Sequence, residues 1–544
     1  MTKNTWIALF FLAHLTNVWA GFDEEESVTI IVSPSQWDDD DSPPSHVNEY
    51  LYADDLGREN IDHTSEIQRA MPGMSLMQGG GFGNVVIRGV GSTLSSASES
   101  GVGNYVDGIY LNGGMWSPRS LYDVKSIGLQ KGPSSVAQGY GTIGGALSIV
   151  SRDPDPYING FVDLLLGDYG QRRVSGAYNQ PLGGDWSVRV AGTAIQRDGY
   201  TKNLYLGNEV DNQESYAWRG KLRFWPEDGW DLMLSMETER VDDAHGCGKQ
   251  PDTDSGVNGG ILLGGTVPDN PREVMHDTRE YQDTERDIYS FRVKRDFGPV
   301  KLHATTGYQR LVVDSNEELH GTEVDFASSI RALRSEALSQ ELRFSSSDVE
   351  RFRWLAGLYL HNSEKRLGFD VDLPALASLS QGSGDLNEWS AALFGELAYR
   401  VEARSWARFG LSYRYDSREV DQDKLLVSPM GSSLLSNRDS DAWLALLPEL
   451  SIEHNDLSNN RFYAKAVRGY KAGGFNAASI QSAYEPEYLW AYEMGVSRAA
   501  TGRRLNGHAS IFYYDYEDIQ LFTIPAGAPA GTTPLISNAA RASV

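Results

Sequence analysis

From about Tyr157 onward, the sequence consists of repeated segments of about ten residues in which apolar and polar side chains alternate. The same alternation appears in residues 186–194, 352–361 and 407–416. In a further segment the apolar positions are Trp389, Ala391, Leu393, Leu397 and Tyr399. A period of two residues indicates β-strands, because successive side chains of a strand point to opposite faces. Strands of this length favour a membrane-spanning β-barrel over a soluble β-sandwich, whose strands usually contain about five to six residues.

The connections between these segments are of two kinds. Some are short, such as residues 182–185, and others are long, such as residues 242–285 and 365–385. Short turns on one side and long loops on the other are typical of outer-membrane barrels, which also carry aromatic residues near both strand ends. We count roughly fifteen strands, ending with residues 510–516, and the start of a sixteenth at Ile536.

The composition excludes several classes of protein. The 544 residues include 48 lysines and arginines against 74 aspartates and glutamates, a formal net charge of −26, which argues against a nucleic-acid partner. Beyond residue 20, no apolar run approaches the roughly 18–20 residues of a membrane helix, which excludes a helical membrane protein. Alternating strands are compatible with the mean hydropathy of −0.40. The single cysteine, Cys247, excludes a disulfide framework and a cysteine-based zinc site.

The N-terminus has the features of an exported protein. Residues 1–20 contain the three parts of a signal peptide: the positive Lys3, an apolar stretch over residues 6–15, and a cleavage region at residues 18–20. The tether that follows, residues 21–46, is acidic and contains one β-prone island. This island comprises Ser27, Val28, Thr29, Ile30, Ile31 and Val32. Such a segment can pair with the edge of a partner's sheet, although it could also be the first strand of the next domain.

Residues 47–155 have the pattern of a small α+β domain. Short apolar runs, such as residues 85–87 and 146–150, are separated by glycine turns, and a short helical segment at residues 66–71 stops at a Pro-Gly pair. The predicted domains are therefore a signal peptide (1–20), a tether (21–46), a small α+β domain (47–155) and a barrel (156–544).

Seven motifs occur in the order and spacing of one known family. They are IRGVG at 87–91, YVDGIYL at 105–111, KGP at 131–133, GTIGGALSIV at 141–150, QELRF at 340–344, RGYKAGGFN at 468–476 and YEMG at 492–495. By these motifs the chain resembles the TonB-dependent outer-membrane receptors over nearly all of its mature length. That family imports scarce nutrients through a barrel of about 22 strands that encloses a plug domain.

The resemblance implies an all-β transmembrane barrel, antiparallel, with an N-terminal α+β plug domain inside its lumen. About 15–16 of an expected 22 strands are present in this sequence. The location implied is the outer membrane of a Gram-negative cell. Residues 539–544 stand where a further strand should begin, so we expect an incomplete barrel that shows a gap or a strained closure.

The resemblance also assigns candidate site residues. The island from Ser27 to Val32 resembles the TonB box, the segment pulled by the energy-transducing protein. Arg88 and Lys131 on the plug match the positions that lock onto wall carboxylates, here Glu341 and Glu493. Both glutamates should point inward, because the lipid face of a strand would not accept a charge. Lys131 stands where the family usually has arginine, and lysine lacks the bidentate fork of arginine.

The function implied is import of a ferric siderophore, or a similar scarce large nutrient, by displacement of the plug. Cobalamin, haem or a glycan are alternative ligands, and a truncated receptor remnant that does not transport is a further alternative. Candidate ligand contacts on the plug apex are Tyr110, Trp116 and Arg119, because aromatic and cationic side chains suit iron-loaded chelates. Trp116 could instead pack against the barrel wall.

The partners implied are the TonB complex on the periplasmic side, the ferric siderophore outside, outer-membrane lipid and the barrel-assembly machinery. We expect no nucleic acid, no cofactor and no metal site. A passive porin would need neither plug nor tether.

Two local patterns partly match binding motifs of other protein classes, and a common hydrolase motif is absent. Residues 139–144 fit the G-x-G-x-x-G pattern but lead into a strand rather than a helix, which argues against dinucleotide binding. Asp252, Asp254 and Asn258 resemble a calcium loop that lacks its terminal glutamate at the required spacing. The sequence contains no G-x-S-x-G motif, but catalytic triads are dispersed in sequence, so a missing motif alone does not exclude an enzyme. No feature of the sequence supports catalysis, and we therefore propose no catalytic residues and do not expect an enzyme.

Overall fold

Two sequence patterns produce two parts of the fold. The computed structural model describes residues 48–79, 82–92, 99–112, 120–134, 136, 139–243, 258–347, 351–457, 460–476, 480, 483–498, 507–523 and 535–544. Short apolar runs build an N-terminal α+β domain, the plug, and long alternating segments build one large sheet whose first strand begins at Asn159. The expected α+β plug and antiparallel sheet are confirmed.

The described residues of the plug form seven short strands and two short helices. They are β1 (Asn48–Tyr52), α1 (Ala53–Arg58), α2 (Ile67–Ala70), β2 (Met74–Gly79), β3 (Phe82–Ile87), β4 (Val102–Val106), β5 (Ile109–Tyr110), β6 (Val124–Lys131) and β7 (Gly145–Ser151), with a 3-10 turn at Thr64–Glu66. Five strands form a sheet in the order β1-β6-β7-β4-β5, and β2 and β3 form a separate hairpin. Of the seventeen buried residues of the main core, only Ile288 comes from the large sheet.

The remaining described residues form sixteen long strands and a few short elements in the loops. They are β8 (Asn159–Leu166), β9 (Arg172–Gly183), β10 (Trp186–Arg197), β11 (Thr201–Asn203), β12 (Glu209–Val210), β13 (Gln213–Phe224), β14 (Trp230–Asp243), α3 (Gly259–Leu262), β15 (Glu273–Val274), β16 (Tyr281–Asp296), β17 (Val300–Glu318), β18 (Ser328–Ser346), β19 (Phe352–Leu373), β20 (Ser378–Glu402), β21 (Ser405–Ser428), β22 (Gly431–Asn455), β23 (Asn460–Lys471), β24 (Glu487–Arg498), β25 (Gly507–Thr523) and β26 (Leu535–Ser543), with a second 3-10 turn at Pro374–Leu376.

The large sheet is an antiparallel meander in which each long strand pairs with the next long strand along the chain. Within the described residues it contains sixteen strands, in agreement with the number counted from the sequence. Strands β8 and β26 are its two ends and do not pair with each other within the described residues. The short strands β11, β12 and β15 form a small separate sheet in the loops.

The two faces of the sheet differ as the alternation predicts. In β20, Leu393 (64% exposed) and Leu397 point outward, whereas Glu388 and Glu396 point inward and are buried. Trp389 and Tyr399 flank the outward apolar residues of this strand, as interfacial aromatics do in membrane barrels. Among the described residues, no helix has the length and apolar character needed to cross a membrane.

The two ends of the sheet also differ. At one end, the turn end, the connections are tight, such as residues 184–185 and 403–404. At the other, the loop end, residues 258–280 and 319–327 lie between the strands and include α3 and β15. The prediction of a long connection at residues 365–385 is wrong, because β19 and β20 extend through most of it and leave a short turn at residues 374–377. In outer-membrane barrels the short turns face the periplasm and the long loops face the outside.

A charge placed in the middle of the outward apolar face should destabilise the barrel. We predict that Leu393→Arg lowers the stability of the folded protein in lipid vesicles by roughly 2–4 kcal/mol, measured by urea unfolding. Asn387→Arg is the matched control, because Asn387 is exposed on the same face of the same strand but beyond Trp389. Equal stability of the two variants would contradict the assignment of this face to lipid.

Candidate functional site: the plug–wall interface

The plug lies against the inward face of strands from one end of the large sheet to the other. Its ion pairs reach β9 and β10 near one end, β13, β16 and β21 in the middle, and β24 near the other end. A domain that contacts the inward face of strands distributed along the sheet is enclosed by the sheet. The expected position of the plug inside the lumen is therefore confirmed.

Arg88 projects from a tight turn of the plug toward the wall. The turn follows β3, and both Arg88 (φ 52°) and Gly89 (φ 80°) adopt left-handed backbone conformations. The amide of Ile87 donates to the carbonyl of Val90, and the amide of Arg88 donates to the carbonyl of Gly73. These bonds hold the backbone in a conformation that is uncommon for a residue with a side chain.

The guanidinium of Arg88 binds Glu493 of β24 through two hydrogen bonds. Nη1 donates to Oε2 at 2.8 Å and Nη2 donates to Oε1 at 3.3 Å, and both side chains are almost fully buried. Nη1 also donates to the hydroxyl of Tyr514 at 3.0 Å, and the guanidinium lies 4.3 Å from the centre of the Phe512 ring. The bidentate pair, the phenol and the ring together compensate the loss of water around the charge.

Glu493 points inward, as the resemblance implied. Its neighbours Tyr492 and Met494 are exposed on the outward face, whereas Glu493 is buried. The hydroxyl of Tyr463 donates to Oε1 at 2.7 Å, and the ammonium of Lys465 lies 3.7 Å from Oε2. Because Lys465 is the register partner of Glu493 on β23, the second cation of this cluster comes from the wall.

The other two residues of the predicted lock have different partners. Lys131 pairs with Glu49 of β1, within the plug, and is not brought to either wall glutamate among the contacts of the described residues. This correction follows from the plug sheet, in which β1 pairs with β6 and places Glu49 beside Lys131. Glu341 points inward and accepts a hydrogen bond from the backbone amide of Gly139 of the plug at 2.9 Å, while Arg343 of its own strand neutralises it.

Most of the ion pairs between plug and wall have the opposite polarity to the one expected. The carboxylates belong to the plug or to the segment between β7 and β8 that leads from the plug to the wall. The cations belong to inward positions of the wall. The pairs are Asp62 with Arg173, Glu99 with Arg414 and Arg418, Asp107 with Lys221, Asp123 with Arg189, and Asp153 with Lys221 and Arg292. The alternation places the wall cations on the polar face, but it does not reveal which carboxylate each one meets.

Glu99 is a buried carboxylate that meets two arginines of the wall. It accepts hydrogen bonds from Nη2 of Arg414 at 3.2 Å and from Nη2 of Arg418 at 3.0 Å, and from the backbone amide of Ala472 at 3.2 Å. Arg414 also binds Asp416 and stacks on the ring of Tyr140 at 4.0 Å. Glu99 thus connects the plug to two wall strands, β21 and the end of β23.

Lys221 bridges two carboxylates on the opposite side of the plug. Its fully buried ammonium lies 3.0 Å from Asp107 and 2.9 Å from Asp153. Burial raises the pKa of both carboxylates, but Lys221 and the other nearby cations and hydrogen bonds together outweigh burial and lower the pKa of each below its ordinary value of 3.8. Arg292 lowers the pKa of Asp153 further. Both carboxylates therefore stay charged at any physiological pH.

The wall contains glycines where the plug comes closest. A Cβ at Gly307 of β17 would lie 2.5 Å from the side chain of Ile109, and a Cβ at Gly469 of β23 would lie 2.8 Å from Pro133. Both contacts are shorter than real side chains allow. Part of the glycine content is therefore explained by positions where the plug and the wall are too close for a side chain.

Of the three predicted ligand contacts, only Tyr110 is among the described residues, and it does not lie at an accessible surface. Tyr110 is buried: its ring stacks on Tyr140 at 4.0 Å, edge-on to His361, and its carbonyl accepts from Gln309 of the wall. In this conformation Tyr110 is a packing residue beneath the apex. Trp116, Arg119 and the TonB-box segment at residues 27–32 lie outside the described residues.

Comparison with known proteins identifies the family. The family model "TonB dependent receptor-like, beta-barrel" matches residues 229–544, more than half of the chain, and the "TonB-dependent Receptor Plug Domain" model matches residues 41–146. The chain belongs to the TonB-dependent receptor family. Its large sheet is therefore an outer-membrane barrel wall, with the turn end in the periplasm and the loop end outside.

Individual relatives agree with this assignment. The pesticin receptor of Yersinia enterocolitica is 23% identical over 536 residues, which cover 95% of this chain and 74% of the receptor. The crystal structure of the ferric yersiniabactin uptake receptor FyuA from Yersinia pestis matches with a TM-score of 0.76 at 19% identity, over 92% of this chain and 74% of that one. The siderophore receptor PiuA from Acinetobacter baumannii matches with a TM-score of 0.69 at 16% identity, over 92% and 75%.

Removing the charge of Arg88 should loosen the plug. Because Arg88→Gln leaves Glu493 buried without its bidentate partner, we predict a loss of about 3–5 kcal/mol in the local opening free energy of the plug. Hydrogen exchange of residues 82–92 in the detergent-solubilised protein measures this change. Lys125→Gln, which removes an exposed charge of the same domain, should leave the exchange unchanged. Equal protection in Arg88→Gln and wild type would contradict the role of this pair.

Removing the charge of Lys221 should make the plug sensitive to milder acid. Because the pKa of Asp107 and of Asp153 is lowered in the folded protein, their stabilisation is fully present above the ordinary value and is lost as the pH falls through the lowered value. Lys221→Met removes the largest of the contributions that lower these pKa values, so the midpoint of acid-induced loss of near-ultraviolet circular dichroism should move to higher pH. Lys125→Met should keep the wild-type midpoint, and a shared midpoint for all three proteins would refute the assignment.

Proposed function

We propose that this receptor imports a ferric siderophore across the outer membrane by TonB-driven displacement of the plug. The observation that carries the proposal is the nature of the plug–wall interface, which is closed by buried ion pairs while the main core of the plug is almost entirely its own. A plug with its own core can move as a unit. Family membership supports the dependence on TonB.

The polar interface suits release by a pull. Apolar surface separated in water loses its full burial energy, whereas charged side chains regain hydration as they separate. In the closed state, paired residues such as Arg88 and Glu493 have lost their hydration at a cost in free energy. They regain that hydration when the plug separates and water enters. The pairs also lie on different wall strands, so they can break one after another rather than all at once.

The printed names of the relatives support a siderophore as the cargo. FyuA is described as a ferric yersiniabactin uptake receptor, PiuA as a siderophore receptor, and PirA of Pseudomonas aeruginosa, 25% identical over 188 residues, as a ferric enterobactin receptor. The same fold occurs in the copper transporter OprC, with a TM-score of 0.67, so the fold by itself does not select the cargo.

The remaining partners belong to this proposal. The TonB complex binds the segment from Ser27 to Val32 on the periplasmic side, and the cargo is captured at the loop end. Lipid covers the outward apolar face, and the barrel-assembly machinery inserts the wall into the membrane. The protein acts as a transporter and catalyses no reaction on its cargo.

Uptake of radiolabelled compounds tests the proposal, with radioactive iron in the ferric siderophores and haem and radioactive cobalt in cyanocobalamin. The receptor is expressed in a strain without its own siderophore receptors and supplied with single ferric siderophores, cyanocobalamin or haem. We expect one ferric siderophore to be taken up, and uptake to be lost, with surface binding retained, when residues 27–32 are deleted. Deletion of residues 34–39, of equal length in the same tether, is the control. Uptake that survives the first deletion refutes energy coupling, and uptake of cyanocobalamin or haem alone refutes the siderophore assignment.

A further inference from the structure

Three potential metal ligands meet at the loop end of the barrel. Asp277 precedes β16, Glu318 ends β17, and His320 lies in the loop that follows. One ligand atom from each side chain lies within 4.8 Å of the other two. The chain brings them together because β16 and β17 are neighbours and their loop-end residues lie side by side.

His320 is the feature that points to a ligand. The residue is 3% exposed, and its buried Nε2 has no hydrogen-bond partner among the residues that the structure describes. This nitrogen lies 2.6 Å from Oε1 of Glu318, in an orientation that makes no hydrogen bond, and 3.7 Å from Oδ1 of Asp277. Nε2 of His320 therefore faces a carboxylate oxygen of Glu318 and a carboxylate oxygen of Asp277.

The opposite side of the imidazole is held in place. Nδ1 of His320 lies 3.0 Å from the hydroxyl of Thr322. Histidines that bind metals through one nitrogen typically have the other nitrogen fixed by a hydrogen bond, which sets the ring orientation. Glu318 is fixed as well, because its Oε1 accepts from the backbone amide of Gly321 at 3.1 Å and its Oε2 from that of Thr278 at 3.3 Å.

We propose that Asp277, Glu318 and His320 bind a divalent transition-metal ion of the zinc class on the outer side of the receptor. One imidazole nitrogen and two carboxylate oxygens are a donor set for Zn²⁺ and similar ions, whereas Ca²⁺ and Mg²⁺ prefer oxygen ligands alone. Three protein ligands leave a fourth position for water or for a donor atom of another molecule.

The charge of the cluster agrees with a cation. Two carboxylates face one imidazole in this cluster, so it offers more negative than positive groups to a cation. A second pair of the same chemistry, His276 and Glu280 at 2.7 Å, lies directly beside the cluster, and Oε1 of Glu280 accepts from the amide of Glu318. Glu280 thereby supports the backbone of a ligand residue.

The consequence of metal binding is a link between two outer loops. Asp277 belongs to the connection between β14 and β16, whereas Glu318 and His320 belong to the connection between β17 and β18. A bound ion would fix these connections to each other. The site is separate from the plug–wall interface, and its test does not depend on the cargo.

Zinc binding to the full receptor, purified in detergent and stripped with a chelator, tests the proposal. Isothermal titration with Zn²⁺ should show one saturable site per chain, and Co²⁺ in its place should give the visible absorption of a bound nitrogen–oxygen site. His320→Ala should weaken binding by at least about tenfold. His454→Ala, at an exposed histidine of the turn end, should bind like the wild type.

Asp277→Asn guards against a folding artefact, because it keeps the size and hydrogen-bonding capacity of the side chain. It should retain the wild-type circular dichroism and heat-modifiable gel mobility while also losing affinity by on the order of tenfold. The proposal is overturned if Zn²⁺ does not bind at a single saturable site, or if His320→Ala and Asp277→Asn bind as tightly as His454→Ala. Equal affinity for Ca²⁺ and Zn²⁺ would overturn the assignment of the metal class.

Discussion

A charge buried between two surfaces must meet an opposite charge, and this requirement determines how the plug sits in the barrel. The lumen wall carries buried cations such as Arg189, Lys221 and Arg414, each of which would be costly without a partner. Carboxylates of the plug meet all three. The orientation of the plug is therefore specified by ion pairs spread around the wall, and the apolar contacts and wall glycines fill the space between them.

The fold was accessible from the sequence because its signals are local. A period of two over ten residues identifies a strand and assigns its faces, which is why the strand count and the outward position of residues such as Leu393 were predicted correctly. Arg88 and Glu493 were found through motif resemblance, since each stands in a motif whose spacing is kept. The two motifs are enough to predict that Arg88 and Glu493 pair, without knowledge of the rest of the interface.

The rest of the site depends on contacts between distant parts of the chain. Asp123 and Arg189 pair across the interface although neither stands in a motif, and Lys131 turns to Glu49 because of the pairing of β1 with β6. Tyr110 has the right chemistry for a ligand contact, but stacking on Tyr140 buries it. The cluster around His320 could not be predicted either, because Asp277 and Glu318 are far apart in sequence and meet only through the hairpin of β16 and β17.

The central claim is that transport requires the plug to separate from the wall. The hydroxyls of Ser120 in the plug and Ser215 in β13 lie 3.5 Å apart, so Ser120→Cys with Ser215→Cys, in a Cys247→Ser background, allows a reversible covalent tether. Uptake of the iron-loaded siderophore selected by the uptake screen is then measured before and after reduction. The account predicts that the oxidised protein binds the siderophore without importing it and that reduction restores import, as in the two single-cysteine controls. Import at the wild-type rate with the tether intact would contradict it.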